Sequence, residues 1–369
     1  MTVLLLDLDN TLLENPVQQF VPAYLKLFAS YISPIVDPKL FSKSLMASTD
    51  QMIANDNFQI TLRSAFEDSF FKSFKDQRIE LSKAMDDFYR TLYPTLKPFT
   101  HSRDAAIALI NNWTSKNSKI VVATNPLFPD FVQFQRLEWA NLSISDYPQI
   151  SFVTSYEKMH FAKPNPAYYM EILALLGWPQ EPVCMIGDTY TDDIQPSTIF
   201  GINGFFVCNE NCLSDSIPGH VPSGTLSDAN LWIEQANSTL CFETKESIIF
   251  ELLGSSAALH TLYTNRSNLT SIPDEIFTGI FSDLYSFEHQ FSWARHNVIE
   301  PSNLIFNSDI FFTGRNSLIQ IIKELSDEGL IKQYSDLQSI IKHDQAVIRS
   351  LVTSISSNND QYLRKLLYD

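Results

Sequence analysis

The sequence predicts an α/β protein built on a doubly wound parallel sheet, and three observations carry that expectation. Short unbroken apolar runs recur along the first two hundred or so residues. Most of them end in polar residues, several of them acidic. Stretches with helical signals separate them. A run that is apolar at successive positions, rather than at alternate ones, fits a strand buried on both faces, as in a parallel sheet.

The first run is Val3-Leu4-Leu5-Leu6-Asp7. Lys119-Ile120-Val121-Val122-Ala123-Thr124, Pro182-Val183-Cys184-Met185-Ile186-Gly187-Asp188 and Asn203-Gly204-Phe205-Phe206-Val207 follow, with Ser151-Phe152-Val153-Thr154 as a weaker strand between them. Residues 102–115 read as a helix with Ser102 as its N-cap. Residues 166–177 read as a second, because Asn165-Pro166 places a capping side chain before a proline at the first helical position. Residues 16–95 break the alternation. They read as amphipathic helices without a buried strand, densest in Phe, Leu and Ile from Phe58 to Tyr93, and the α/β pattern resumes near Phe99. Beyond Val207 comes a looser stretch over 209–224, then a closing helix from Ser227 to Gln235. From about 243 onward the pattern is helical only, roughly 243–264, 273–297, 314–327 and 335–356, as in a four-helix bundle. The domain expectation is therefore an α/β core over 1–15 and 96–238, a helical insertion over 16–95, and a helical C-terminal domain over 239–369.

Composition bounds the function. The chain has 369 residues, 44% of them apolar, with 27 Phe and 14 Tyr to fill packed cores. Its 26 Lys and Arg against 42 Asp and Glu give a net charge of −16, which argues against nucleic acid or an anionic membrane surface as partner. A local cation cluster or a bound metal could still hold an anionic small substrate. No apolar run approaches the roughly 20 residues that span a bilayer. The N-terminus has no basic leader and runs at once into Asp7 and Asp9, so it does not read as a signal peptide. Cys184, Cys208, Cys212 and Cys241 are too few and too scattered for a disulfide framework. The expectation is a soluble cytoplasmic protein.

In an open parallel sheet, ligands bind beyond the carboxyl ends of the strands, so the polar ends of separate runs converge on one site. The first end is Asp7-Leu8-Asp9-Asn10-Thr11. One of its carboxylates can attack phosphorus to form an acyl phosphate. The other can protonate the leaving oxygen and later deprotonate water. At the second end, the hydroxyl of Thr124 and nearby backbone N–H groups around Asn125 can donate to phosphate oxygens. At the third, Lys163 in Lys163-Pro164-Asn165-Pro166 can neutralise the nucleophile and a phosphoryl group. At the fourth, Asp188, Asp192 and Asp193 in Gly187-Asp188-Thr189-Tyr190-Thr191-Asp192-Asp193 join Asp7 in offering the hard oxygen ligands that Mg²⁺ prefers. Singly each pattern has an ordinary explanation, such as a turn, a polar strand end, a surface lysine or acids at a helix start.

In this order the four resemble the motifs of the haloacid dehalogenase superfamily: Asp7-x-Asp9-x-Thr11, Thr124, Lys163, and Gly187-Asp188 followed after four residues by Asp193. The resemblance covers about residues 1–235. It implies a Rossmann-like core with a mobile helical cap at 16–95. It also implies a set of roles. Asp7 is nucleophile and Mg²⁺ ligand. Asp9 is general acid/base and binds the metal through its backbone carbonyl. Thr124, with Asn125, and Lys163 bind phosphate, and Asp188 completes the metal ligands. Thr11, Asp192 and Asp193 support these from behind. The dehalogenases that name the family lack an acid/base Asp at the position of Asp9, so a phosphomonoester fits better than a haloacid. The resemblance thus implies a phosphoglycolate phosphatase-like hydrolase of a small phosphorylated metabolite. Two alternatives stand beside it: a phosphomutase of β-phosphoglucomutase type, and a non-enzymatic binding protein that works through its C-terminal helices. In the cap, Lys26, Arg63 and Arg90 are candidate anion contacts, with surface positions the expectation for each.

The seven histidines, at 101, 160, 220, 260, 289, 296 and 343, show no metal-ligand spacing. The stretches Leu252 to Leu262 and Pro273-Asp274-Glu275-Ile276, with the helix carrying Glu288, weakly resemble DinB-like four-helix proteins, some of which bind a metal through histidines. Here one such ligand position falls on Gly279. A packing or dimerisation role is the expectation for this region.

Overall fold

The structure is a computed structural model that describes residues 1–176, 179, 181–208, 221–237 and 240. The C-terminal helices expected over 239–369, with their DinB-like resemblance, lie outside the described residues, Leu240 apart. So do residues 209–220 of the loose stretch, which carry Cys212 and His220.

Six parallel strands form the sheet: β1 (Val3–Leu6), β4 (Lys119–Val122), β5 (Ile150–Val153), β6 (Val183–Gly187), β7 (Asn203–Val207) and β8 (Ser223–Gly224), in the order β5-β4-β1-β6-β7-β8. The all-apolar runs do what their composition requires. β1 lies at the centre, and none of its residues exceeds 2% exposure. Both of its neighbours are in register with it, Leu6 opposite Val122 on one side and Ile186 on the other. The runs at 3–7, 119–124 and 182–188 thus enclose the strands, and the weaker candidate at 151–154 is a full member of the sheet. The α-helices from Asp104 onward, among the described residues, are α5 (Asp104–Ser115), α6 (Asp130–Trp139), α7 (Pro166–Leu175), α8 (Gln195–Thr198) and α9 (Leu226–Ile233). Residues 1–168 and 180–240 form one compact unit, and residues 169–179 are grouped outside it.

Between β1 and β4 stand α1 (Val17–Ile32), α2 (Pro38–Ile53), α3 (Leu62–Phe70) and α4 (Arg78–Thr91), followed by a 3₁₀ turn over Tyr93–Phe99. Helical periodicity explains them. Phe20, Tyr24, Phe28 and Ile32 recur every four residues and form the buried stripe of α1. Leu62, Phe66 and Phe70 do the same for α3. Asp37 caps α2 by accepting from Leu40 N, and Thr61 caps α3 by accepting from Ser64 N. The stripes meet in an aromatic core, where Phe28 stacks on Phe88 at 3.9 Å between ring centroids. A two-stranded antiparallel ladder, β2 (Leu13–Glu14) with β3 (His101–Ser102), closes the base of this helical segment.

That ladder corrects one boundary. Ser102 was expected to cap α5, but its backbone pairs with Leu13. The helix therefore starts two residues later, at Asp104, with Arg103 in the cap position and no side-chain cap bond. At the other end of the core, α9 starts one residue before the expected Ser227 behind a capping box, in which the Thr225 hydroxyl and the Asp228 carboxylate satisfy each other's backbone N–H groups. No helix among the described residues is long and apolar enough to cross a membrane.

Candidate active site

The carboxyl ends of β1 and β6 and the loop after β5 bring Asp7, Asp188, Asp193 and Lys163 together. The strand β1 ends at Leu6, and the Asp7 N–H still donates to the Ile186 carbonyl at 2.9 Å, so the sheet fixes where this side chain leaves the backbone. Beyond it the chain turns sharply. The Leu12 and Leu13 N–H groups both donate to the Leu8 carbonyl, and Asn10 takes a left-handed φ of 57°, which asparagine tolerates.

Lys163 reaches the same place from the loop between β5 and α7. It is 2% exposed, and its Nζ donates to Asp7 Oδ1 at 2.8 Å and to Asp193 Oδ1 at 2.5 Å. Asp193 is delivered by a π-helical turn over Tyr190–Ile194, directly after β6, and its Oδ2 accepts from Thr189 N at 3.0 Å. Gly187 permits this approach: a Cβ at that position would stand 2.2 Å from Asp193 Oδ2. Asp188 completes the group. One carboxylate oxygen each from Asp7, Asp188 and Asp193 lie within 4.8 Å of one another.

Three carboxylates around one lysine leave an excess of negative charge, and the proton affinities register it. Burial pushes the Asp7 carboxyl well above its ordinary value. Lys163 opposes that shift, and Asp193, Asp188 and Asp9 add to it. Burial and Asp193 lift Asp188 to about 6. Asp192, half-buried beside them, is raised by burial first and by Asp193 next. A compact set of all-oxygen, excess-negative donors suits a hard divalent cation.

Thr124 lies buried one residue past β4's last flanking alanine. Its carbonyl accepts from the Thr154 hydroxyl at 2.6 Å and from the Tyr168 hydroxyl at 2.8 Å, so two side chains pin the turn that carries it. Asn125 is half-buried, with an Oδ1 that accepts no hydrogen bond among the described residues. Thr11 is fully buried in the first turn, where Arg103 donates to its carbonyl and to that of Asn10.

The Asp9 side chain stands outside the carboxylate trio. Its Oδ1 accepts from Asn15 Nδ2 at 2.7 Å and from Arg136 Nη2, forming an ion pair in which Arg136 is 2% exposed. Sequence reasoning missed Asn15, Arg136, Thr154 and Tyr168. For Arg136 a signal existed. It falls on the buried stripe of α6 with Val132, Gln133 and Leu137, and polar residues on an otherwise apolar stripe are the informative exceptions. Of the helical candidates, Lys26 is exposed. Arg63 is exposed and pairs with Glu67, and Arg90 is exposed and lies over the Phe131 ring. All three thus take the surface positions expected of them.

The helical segment is tied to the loop that leads to Lys163. Leu62 N donates to Met159 O and Arg63 N to Tyr156 O, both at 2.8 Å, and Asn55 Nδ2 donates to His160 O, also at 2.8 Å.

Comparison with known proteins matches residues 1–196 to the model of the haloacid dehalogenase-like hydrolases. Comparison with curated proteins gives no match. Among solved structures, a HAD phosphatase from Thermococcus onnurineus is similar at 13% identity, covering 65% of this chain and 100% of its own, with a TM-score of 0.40. The HAD-hydrolase YfnB from Bacillus subtilis, solved bound to magnesium, is similar at 19% identity over 63% of this chain and 97% of its own, with a TM-score of 0.39. A protein from Thermotoga maritima described as a β-phosphoglucomutase is similar at 14% identity over 64% of this chain and 99% of its own, with a TM-score of 0.37. The family model spans more than half of the 369 residues, and the chain belongs to the haloacid dehalogenase-like hydrolases.

Proposed function

We propose that the chain is a Mg²⁺-dependent phosphatase that hydrolyses a small phosphomonoester through a phosphoaspartate on Asp7. The observation that carries this reading is the trio Asp7, Asp188 and Asp193 around Lys163 at the strand tips. Asp7 and Asp188, with the Asp9 carbonyl, would hold the ion. When bound, it offsets the clustered negative charge and that of the phosphoryl oxygens.

The residues then divide the work. Lys163 fixes the Asp7 carboxylate and adds positive charge where the phosphoryl group sits. Thr124 and Asn125 donate to the phosphoryl oxygens from the pinned turn after β4. An Asp7 carboxylate oxygen bonds to phosphorus. The bond from phosphorus to the ester oxygen breaks with its electron pair, and that oxygen takes a proton from Asp9. In the second half, water bonds to phosphorus as Asp9 takes a proton from it. The bond to Asp7 breaks, freeing phosphate and restoring the carboxylate. Thr11, Asp192 and Asp193 hold the ligands and the turns that carry them.

The helices of 16–95 act in this reading as a cap over the tips. The partner is a small phosphorylated metabolite of the cytoplasm, and the chain pairs with a second copy through residues 239–369, whose sequence reads as helical. A panel of phosphomonoesters tests the reading. Phosphate release that requires Mg²⁺ supports it, and release that is indifferent to Mg²⁺ and to chelator contradicts it.

A further inference from the structure

Arg136 presents a puzzle that packing does not answer. Its guanidinium is 2% exposed on the inner face of α6, where it donates to Asp9 Oδ1 and, at 3.3 Å, to Gln133 Oε1, with the Phe128 ring 5.4 Å from its Cζ. Its Nε and the Gln133 Nε2 both lack an acceptor among the described residues. Burying an arginine with an unmet donor costs stability, and a buried ion pair is weak ground for explaining a fold. The geometry at Asp9 supplies another explanation. Asn15 donates to the same Oδ1, and Asn15 is itself held by its N–H bond to Asn10 Oδ1 at 3.0 Å. Two fixed donors therefore gather on one oxygen of Asp9. Among the described residues nothing donates to the other, Oδ2.

We propose that Arg136, with Asn15, is a positioning residue that holds Asp9 by Oδ1 so that Oδ2 faces the ester oxygen and, later, the attacking water. The inference rests on the phosphatase reading above. In the first half-reaction Oδ2 gives its proton to the ester oxygen as the phosphorus–oxygen bond breaks. In the second Oδ2 takes a proton from water. Arg136 touches neither reactant and acts through the carboxylate it orients.

Proton donation matters most when the leaving oxygen is basic, and this gives the test. Aryl phosphates of similar shape, from p-nitrophenyl through phenyl to p-methoxyphenyl phosphate, are assayed with Mg²⁺ and the full chain, reading kcat/KM. In Arg136→Met the loss is expected to be small for the p-nitrophenyl ester and to grow along the series, to about 10²-fold for the most basic phenol. Arg136→Lys, which keeps a cation donor, recovers part of it. If Arg136→Met does not fold by circular dichroism, Asn15→Ala carries the test with the same pattern expected at smaller amplitude. An equal loss across the series, in whichever variant folds, overturns the inference while the phosphatase reading stands. A wild-type chain that hydrolyses none of the esters overturns both.

Discussion

The strand tips and the helices of 16–95 bury their side chains on opposite terms. At the tips, Asp7, Lys163 and Asp193 sit at most 7% exposed with like charges side by side. In the helices the buried stripe is aromatic, and its rings stack or meet edge to edge, as Phe28 does with Phe88 and Phe41. The first arrangement raises the energy of the folded state, and it is the one the proposed reaction uses. The second fills space and supplies stability. The contrast teaches where to look for function: in charges a packing argument would not keep. The two regions meet at Phe128, which lies against Arg136, the ion-pair partner of Asp9, and also packs on Tyr24 and Tyr93 at the edge of the aromatic cluster.

The largest effect is expected at Asp7. Asp7→Asn is expected to bring phosphate release to background while the protein stays folded, since it removes one of three crowded carboxylates. An active Asp7→Asn would refute the assignment. Lys163→Met should lower kcat by roughly 10²–10³-fold. It should also destabilise the metal-free protein by about 3–5 kcal/mol, because it leaves Asp7 and Asp193 buried without their cation. Urea denaturation measures the second effect, and a stability loss below about 1 kcal/mol would mean the pair is less buried in solution than the structure has it. On the other side, Phe28→Ala should cost about 3–5 kcal/mol through the cavity it leaves. Activity per folded molecule on a small ester should survive that change, and its complete loss would show the aromatic stripe to be part of the site.

Smaller effects sharpen the picture. Asp188 binds its proton more tightly folded than unfolded, up to about 6, and Asp7 is shifted the same way. Raised values of this kind stabilise the fold at low pH, and the contribution disappears as pH rises through the folded value. Metal-free protein should therefore melt lower at about pH 7.5 than at about pH 5, and Mg²⁺ should restore the difference at the higher pH by binding the ionised carboxylates. Melting curves with EDTA and with Mg²⁺ check this, and a Mg²⁺ shift that is larger at the acid pH would contradict it. Smallest is Asn55→Ala. It removes the hydrogen bonds from Asn55 Nδ2 to Asn57 O and to His160 O, the second of which ties the helical segment to the loop before Lys163, and urea denaturation should show a cost of about 1 kcal/mol.

Most of the sheet was legible because a strand buried on both faces writes itself as an unbroken apolar run. Asp7, Thr124 and Asp188 were legible because each ends such a run, and Lys163 because it stands just before the proline-marked start of a helix. The ladder of β2 with β3 is too short to leave a period, which is why Ser102 read as a helix cap instead of a strand residue. Asn15 and Arg136 were hidden for a different reason. Their partner, Asp9, lies 127 positions before Arg136, and an arginine in a helix normally faces water. Thr154 and Tyr168 act through hydroxyls that hold a carbonyl, and no local pattern announces such a bond.

The most direct test of the central claim is to look for the phosphoryl group on Asp7. Asp9→Asn should slow the hydrolysis of the phosphoenzyme by removing the group that deprotonates water, so an acid-quenched reaction of that variant with Mg²⁺ and p-nitrophenyl phosphate, followed by peptide mass analysis, should find one phosphoryl group on the N-terminal peptide at Asp7. The same quench of the doubly substituted Asp7→Asn, Asp9→Asn chain should find none. A wild type that releases phosphate, paired with an Asp9→Asn variant that never carries phosphate on Asp7 although it retains turnover, would contradict the account.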